Sequence, residues 1–392
     1  MMTLIYRTIN NIDIAIDINT SRDVYFTEQF LKSNDVLNSS LDQNNVLNML
    51  SKSSQFTPLY LMWEMIDKCN FSCPFCYIVG HSNNKLIRFK NVKHHLEELI
   101  ENGLLYCILT GGEVTYHKDF LEIYSFLKGK GVFVEVYSNG YNVNKEIIDV
   151  FKELPPYSVE ISIYGLSEPV FQAATNTKLH PDVVLNSIKE LKANGINVKC
   201  KTAINSLTIK EIDLIKEWCK SNQIPHYHSS DMTVAYDGNS TRQWMADEES
   251  IVHYDADNEV NFQKQFGKPA TNYKKTCFSC SVGTYSLYIN SNFELMPCSS
   301  FNSKNARFNI LSNGMQPSIQ KMLAYVGNVY HAEIIGCVGC SAASICKMCP
   351  AIASEVFNQE DKLIGFKTNE LFCDSTRKKY NQINKIITKT VS

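Results

Sequence analysis

The chain has 392 residues, of which 44% are hydrophobic and 20% are charged, so its composition is that of a packed globular protein. A chain of this length exceeds one small core and predicts a large domain together with one or two smaller ones. The formal net charge of −2 gives no electrostatic reason to expect binding to nucleic acid or to an anionic membrane surface.

The first 58 residues are polar and rich in Asn and Ser, and we treat residues 1–58 as a separate N-terminal segment. They contain two β-like runs, LIYRTI and IDIAIDI, and two stretches that favour helices, residues 24–32 and 45–51. The start of the chain lacks the basic stretch and following apolar stretch of a signal peptide. Because no run of about 18 apolar residues occurs either, we expect a cytoplasmic protein with no membrane span.

From residue 59 onward, short apolar strands alternate with amphipathic helices. This alternation is typical of parallel βαβ units and predicts an α/β fold, with a barrel or an open sheet, over residues 59–235. We predict strands over residues 59–66, 106–110, 132–137, 159–163, 197–203 and 225–228. We predict helices over residues 91–102, 119–128, 145–152, 181–194 and 209–221. In such folds the chemistry lies at the carboxyl ends of the strands.

A group of three cysteines follows the first predicted strand in the sequence Cys69-Asn-Phe-Ser-Cys73-Pro-Phe-Cys76. Iron–sulfur clusters are held by thiolates, normally four, so three thiolates on one loop leave one iron of a four-iron cluster open to another ligand. The amino and carboxylate groups of S-adenosylmethionine can chelate that iron. An electron from the cluster can then break the adjacent C–S bond and release a carbon radical. The alternatives are a zinc site that lacks its fourth ligand, or three unrelated cysteines.

The second predicted strand is followed by Gly111, Gly112 and Glu113. Glycines let a backbone approach a ligand closely, and a carboxylate can accept hydrogen bonds from an ammonium group. An ordinary turn is the alternative. The pattern therefore indicates a second ligand-contacting position at the same end of the predicted sheet.

After about residue 231 the alternation of strands and helices ends. We expect residues 236–269 to be a linker and residues 270–392 to be a metal-stapled module rather than a continuation of the barrel. This region holds eight of the 14 cysteines, and in a reducing cytosol closely spaced cysteines indicate metal ligands rather than disulfides. Eight thiolates match two four-thiolate sites, which suit zinc as well as iron–sulfur clusters. The isolated cysteines, expected to be buried and inert, are Cys107, Cys200 and Cys219.

The C-x3-C-x2-C motif with Phe75 before its third cysteine, followed by the Gly-Gly-Glu motif, resembles the radical S-adenosylmethionine (SAM) superfamily. The C-terminal cysteines resemble the SPASM module found behind many peptide-modifying members. The resemblance implies a partial (β/α)6 barrel of radical SAM type with a C-terminal SPASM module. It also implies SAM as cofactor, with one catalytic and two auxiliary [4Fe–4S] clusters. The residues implied to contact SAM are Phe75, Gly111, Gly112, Glu113, Ser138, Asn139 and Ser162.

The same resemblance implies the ligands of each cluster. The catalytic cluster would be held by Cys69, Cys73 and Cys76. The first auxiliary cluster would be held by Cys277, Cys280, Cys298 and Cys349, and the second by Cys337, Cys340, Cys346 and Cys373. The family usually has three residues before the position of Cys349, where this chain has two. It also often has Asp at the position of Tyr164 and an Arg-Gly pair near residues 174–176, so the ribose and carboxylate contacts of this chain differ from the family pattern.

The function implied is that of a radical SAM enzyme that modifies a ribosomally made peptide by a thioether or carbon–carbon crosslink, or by epimerisation. Its partners would be a precursor peptide or protein and a reductant such as flavodoxin or ferredoxin. The alternatives are anaerobic sulfatase-maturating-type oxidation of a protein Ser or Cys, a small-molecule substrate, or a non-catalytic iron–sulfur electron carrier. Residues 1–58 would form either a leader-peptide-binding region or a cap on the bottom of the barrel.

The end of the sixth predicted strand carries further polar side chains. Asp231 lies at the expected mouth of the barrel and is a candidate catalytic base. His226 and His228 flank Tyr227, and we expect them to be a solvated or hydrogen-bonded pair rather than ligands.

Overall fold

The structure is a computed structural model that carries side chains. It describes residues 3–20, 24–26, 43–51, 56–78, 86–230, 232, 235, 241–255, 280–301, 303–330, 333–335, 340–342, 346, 349–351, 354–357, 363–367 and 370–391. Three candidate site residues lie outside the described residues, namely Asp231, Cys277 and Cys337. None of the helices in the described part is long and apolar enough to cross a membrane.

The described elements comprise strands and helices in alternation. The strands are β1 Leu4–Ile9, β2 Ile12–Asp17, β3 Val24–Phe26, β4 Tyr60–Ile66, β5 Tyr106–Gly111, β6 Phe133–Ser138, β7 Ser158–Ser162, β8 Val198–Ala203, β9 His226–Ser229, β10 Ser286–Ile289, β11 Glu294–Met296, β12 Phe308–Asn309, β13 Glu333–Ile335, β14 Ser354–Phe357 and β15 Leu363–Lys367. The first seven helices are α1 Gln43–Leu50, α2 Phe89–Glu101, α3 Phe120–Gly129, α4 Lys145–Glu153, α5 Glu168–Thr175, α6 Pro181–Ala193 and α7 Ile212–Ser221. Then follow α8 over residues 248–255, α9 Ile310–Asn313, α10 Met315–Tyr330 and α11 Glu370–Val391.

A nine-stranded sheet with the order β12-β11-β10-β4-β5-β6-β7-β8-β9 forms the centre of the molecule. Strands β4 to β9 run parallel, each beside the next in the chain. Alternate residues of these strands, such as Val134 and Val136 of β6, share one core with the buried faces of the surrounding helices. This arrangement confirms the predicted α/β fold with a partial (β/α)6 barrel of radical SAM type.

Two predicted features of the secondary structure differ from the observed ones. Residues 24–26 form strand β3, so the predicted helix over residues 24–32 is wrong at its start, because pairing with β2 overrides local propensity. Helix α5 was not predicted, although the Pro at its start and the left-handed Asn176 at its end are typical helix boundary signals.

Strands β10 to β12 extend the barrel sheet beyond its first parallel strand. Strand β10 pairs in parallel with β4, and β11 and β12 continue the sheet in antiparallel fashion. This differs from the expectation that residues 270–392 form a module rather than a continuation of the barrel. The sequence does not indicate the pairing, because it joins strands more than two hundred residues apart along the chain.

The N-terminal strands β1 to β3 form a small antiparallel sheet under the barrel. Its apolar face packs with Leu59, Leu105 and Phe133, which stand at the starts of the first three barrel strands. The Arg7 guanidinium donates hydrogen bonds of 2.6 Å to the carbonyls of Ile100 and Leu104, at and just beyond the end of α2. The sheet therefore covers the amino end of the barrel, opposite the end where the cysteine motif lies.

A buried lysine lies where this sheet meets the barrel helices. Lys128 of α3 is 1% exposed, and Asp17 of β2 is 3% exposed. Burial lowers the pKa of Lys128 to about 7, and the negative charge of Asp17 opposes that shift. The ammonium form of Lys128 is thus less favoured in the folded protein than in the unfolded chain.

We expect the stability of the protein to rise with pH between about 7 and 10 because of Lys128. In that window the unfolded chain still holds the lysine proton while the folded chain has lost it, so unfolding becomes less favourable by up to about 1.4 kcal/mol per pH unit. The thermal midpoints of wild type and Lys128→Met, compared anaerobically at several pH values, test this. The thermal midpoint of wild type should rise relative to that of Lys128→Met as pH increases. The same pH dependence in both proteins would contradict the prediction.

Candidate functional site

The three cysteines of the first motif lie on one loop, residues 67–78, directly after β4; we call it the cysteine loop. Cys73 is buried, Cys69 and Cys76 are half-buried, and none of the three forms a disulfide. Burial raises the pKa of Cys69 to about 11, and the neighbouring charges of Glu113 and Cys76 also raise it. Burial likewise raises the pKa of Cys73, and the other two thiols add to that effect. Three close sulfurs that oppose one another's ionisation fit a bound cationic metal group, which would stabilise them as thiolates.

The cysteine loop is held by a close backbone approach from the end of β5. Gly112 N donates to Ile66 O at 2.7 Å, and Glu113 N donates to Lys68 O at 2.9 Å. A Cβ atom on Gly111 would lie 2.2 Å from Ile66 O, and one on Gly112 would lie 2.5 Å from Lys68 O. The sequence analysis expects both glycines to contact SAM. In the structure, they are required because a side chain at either position would prevent the end of β5 from approaching the start of the cysteine loop.

The Glu113 carboxylate is 1% exposed and is surrounded by donors of the protein. Oε1 accepts from Thr115 N at 3.1 Å, from Thr115 Oγ1 at 2.7 Å and from Ser138 Oγ at 2.8 Å. Oε2 accepts from Asn139 N at 2.7 Å. Burial raises the pKa of Glu113, and these hydrogen bonds oppose the rise. The carboxylate therefore ties the end of β5 to the end of β6, beside the cysteine loop.

Helix α5 holds the opposite side of the cysteine loop. Ser72 N donates to Thr175 O at 2.9 Å, and Thr175 Oγ1 donates to Phe171 O at 2.8 Å. The aromatic ring of Phe171 packs edge-on against Phe71 of the loop, with centroids 5.6 Å apart. Thr175 lies within residues 174–176, where the family pattern has an Arg-Gly pair, so in this chain that position supports the cysteine loop.

Tyr164 follows β7 and packs against the cysteine loop. Its ring centroid is 5.6 Å from that of Phe75 and 6.3 Å from that of Phe71. Burial raises the pKa of the Tyr164 phenol well above its ordinary value, the charge of Cys73 raises it further, and a hydrogen bond with Ser162 opposes the shift. A neutral phenol thus lies next to the thiols where the family often has a carboxylate.

The concave face of the sheet carries charged side chains that the sequence analysis did not single out. Lys199 Nζ lies 3.1 Å from Glu135 Oε1, and Lys201 Nζ lies 3.5 Å from Glu160 Oε1. The Lys201 ammonium also lies over the Tyr137 ring, 5.6 Å from its centroid. Apolar and polar residues alternate in residues 159–162 (VEIS) and 198–201 (VKCK). Because alternate side chains of a strand face opposite sides of the sheet, this alternation indicates that one face of the sheet is charged.

One of the two histidines of β9, His226, is hydrogen-bonded to the neighbouring strand β8. His226 Nε2 lies 2.9 Å from Thr202 Oγ1, and burial lowers the pKa of His226 to about 4, with the charges of His228 and Lys216 adding to the effect. His226 is therefore neutral and hydrogen-bonded, as expected from the sequence.

Five of the six described C-terminal cysteines fall into two neighbourhoods. Burial raises the pKa of Cys298 to about 12, and the nearby charges of Cys349 and Cys280 raise it further. A hydrogen bond with Cys340 raises the pKa of Arg377, and the charge of Cys373 acts in the same direction. Cys280, Cys298 and Cys349 are expected ligands of the first auxiliary cluster, and Cys340 and Cys373 are expected ligands of the second.

No three His, Cys, Asp or Glu side chains in the described part of the chain are arranged around a single metal ion. A four-iron cluster has an inorganic core of its own and is larger than one ion, so its thiolate ligands stand farther apart than the ligands of an ion.

Comparisons with known proteins agree with this geometry. Residues 63–218 match the family model described as the radical SAM superfamily. Fe-coproporphyrin III synthase of Methanosarcina barkeri is 25% identical over 212 residues, which cover 50% of this chain and 51% of that protein. The antilisterial bacteriocin subtilosin biosynthesis protein AlbA of Bacillus subtilis is 27% identical over 165 residues, which cover 41% of this chain and 37% of that protein. The chain thus spans about half the length, or less, of these relatives.

The fold as a whole is shared with a solved structure. SuiB of Streptococcus suis, bound to its precursor peptide SuiA, has a TM-score of 0.67 to this chain at 13% identity, with 90% of this chain and 95% of that chain covered. At this identity the likeness concerns the fold alone. The matched family model, the cysteine loop and the parallel barrel lead to one conclusion: residues 63–218 form a radical SAM domain.

Proposed function

We propose that this chain is an enzyme that cleaves SAM reductively and uses the resulting radical to modify a ribosomally made peptide. The observation that carries the proposal is the cysteine loop, whose three thiols lie together at the carboxyl end of the barrel strands beside Glu113. Cys69, Cys73 and Cys76 would hold a [4Fe–4S] cluster and leave one iron for the amino and carboxylate groups of SAM. When bound, that cluster supplies the electron that splits SAM into methionine and a 5′-deoxyadenosyl radical.

The chain's own residues position the cofactor and exclude water. The close contact of Gly111 and Gly112 with the segment before Cys69 keeps the thiols at the strand ends. The rings of Phe75 and Tyr164 cover the loop with apolar surface. Water exclusion matters because a carbon radical must react with the substrate before it meets another hydrogen source.

A peptide substrate is supported by several relatives. They are a subtilosin biosynthesis protein, a sporulation killing factor maturation protein, and SuiB bound to a precursor peptide. The charged concave face, with Lys201 paired to Glu160, suits polar peptide groups better than an apolar ligand. A small-molecule substrate is the second candidate, because other relatives are named Fe-coproporphyrin III synthase and GTP 3',8-cyclase. Modification of a precursor peptide encoded beside this chain, seen as a mass change, would favour the first candidate; cofactor cleavage with no change in that peptide would favour the second.

We further propose that the C-terminal cysteines hold two auxiliary [4Fe–4S] clusters and that a flavodoxin or ferredoxin supplies electrons. The neighbourhood of Cys280, Cys298 and Cys349, and that of Cys340 and Cys373 near Arg377, support the two ligand sets. The N-terminal sheet is proposed to be a cap, since its apolar face covers the starts of the barrel strands.

Changing Cys69, Cys73 and Cys76 together to Ala should abolish formation of 5′-deoxyadenosine from SAM under dithionite. The reason is that these thiols would hold the cluster whose remaining open iron binds SAM. Cys107→Ala is the matched control, because that thiol is buried in β5 away from the loop and should leave product formation intact. Product formation by the triple variant would refute the assignment. Wild-type protein that holds iron but forms no 5′-deoxyadenosine would instead be an electron carrier.

Glu113→Gln should weaken SAM binding by about 1–3 kcal/mol, the range for a lost charge-assisted hydrogen bond. The Gln side chain keeps one acceptor oxygen, but its amide nitrogen cannot accept a hydrogen bond. Either Asn139 N or the hydroxyls of Thr115 and Ser138 would therefore lose their acceptor, and the ends of β5 and β6 would be held together less firmly. Isothermal titration with SAM measures the effect, and Glu153→Gln on the exposed end of α4 is the control. Equal affinity in both variants would show that the carboxylate does not shape the site.

Anaerobically reconstituted protein should contain about twelve irons per chain, from three four-iron clusters. Metal analysis together with sulfide determination checks this number. About four irons accompanied by two zinc ions would contradict the auxiliary clusters and favour closed four-thiolate zinc sites in the C-terminal region.

A further inference from the structure

Asn70 follows the first cysteine of the loop and carries a buried donor. Its Nδ2 atom is fully buried and has no hydrogen-bond partner within the described residues. A buried amide NH2 without a partner loses its hydrogen bonds to water and gains none in return, so this atom calls for a partner that the protein chain itself does not supply.

The orientation of this amide is determined by a chain of hydrogen bonds. Tyr141 N, a backbone donor, donates to Asn139 Oδ1 at 2.9 Å, so Asn139 must turn its Nδ2 the other way. Asn139 Nδ2 donates to Asn70 Oδ1 at 2.7 Å. The oxygen of Asn70 is thereby assigned, and its remaining polar atom is a donor. The backbone of Asn139 is itself held by Glu113 Oε2.

The same amides lie beside the sulfur of Cys69. Asn139 Nδ2 is 3.5 Å from Cys69 Sγ, and Phe71 N donates to that sulfur at 3.3 Å. Asn70 Oδ1 is 3.8 Å from it. Two N–H donors thus lie next to the Cys69 sulfur. Such donors suit a thiolate and the sulfides of a cluster, both of which accept hydrogen bonds.

We propose that Asn70 donates a hydrogen bond from Nδ2 to a sulfur of the [4Fe–4S] cluster on the cysteine loop and thereby raises its reduction potential. The inference rests on the proposed function, since it requires that cluster. Hydrogen bonds to sulfur are among the factors that set the potential of iron–sulfur clusters. A donor stabilises the more negative, reduced form, so its loss should make the cluster harder to reduce.

Two variants of the full chain test this role. Asn70→Asp keeps an oxygen for Asn139 but replaces the donor with a negative charge, and Asn70→Leu removes the amide without adding charge. Both should move the midpoint potential of the catalytic cluster to more negative values, with Asp moving it further. Redox titration followed by electron paramagnetic resonance measures the shift, and the triple Cys→Ala variant identifies the signals of the other clusters.

Asn142→Ala is the matched control, because its Nδ2 points to Thr115 rather than to a cysteine; its potential should equal that of wild type. Iron content and SAM affinity are measured for every variant. An unchanged midpoint potential in both Asn70 variants overturns the proposal. If SAM affinity falls in those variants while the potential stays the same, the amide binds SAM rather than the cluster, and the proposal is again overturned. Loss of the cluster in both also overturns it, because the role would be assembly. A wild-type chain without the catalytic signal would overturn the proposed function together with this role.

Discussion

Gly112 N donates to Ile66 O at 2.7 Å, in a space that no side chain could share. This contact joins the ends of β4 and β5 and so sets the place from which the cysteine loop leaves the sheet. Glu113 then joins the end of β5 to that of β6 through a buried carboxylate. The three thiols, the Phe75 ring and the amides of Asn70 and Asn139 all lie on segments that this contact or the carboxylate restrains.

The two ends of the barrel serve different purposes. At the amino end, the small sheet covers apolar residues such as Leu59 and Phe133, where a closed core is favourable. At the carboxyl end, the loops carry the polar and sulfur-bearing groups. Between them the sheet is apolar toward the helices and charged on its concave face, where Glu135 pairs with Lys199. The amino end of the barrel thus contributes apolar packing, and the carboxyl end carries the candidate functional groups.

Much of the barrel was predictable because its signals are local. Each strand from β4 to β8 is an apolar or alternating run, and the cysteine loop and the Gly111-Gly112 pair each follow such a run directly. The missed elements depend on distant partners. Strand β3 is defined by pairing with β2, and β10 by pairing with β4. Helix α5 has only eight residues, too few to show a clear helical period, although its terminal signals are present.

The sequence by itself determined the chemistry of the site, because thiolate spacing is a covalent property of the chain: Cys69, Cys73 and Cys76 remain on one loop whatever surrounds them. It could not determine which atoms Gly111, Glu113 and Asn139 contact. Only the tertiary structure decided that the glycines meet backbone, that the carboxylate meets protein donors, and that Asn70 is left with a buried donor. The physical reason is that hydrogen-bond partners and close contacts arise between segments brought together by folding, and their identity depends on distances that no local pattern encodes.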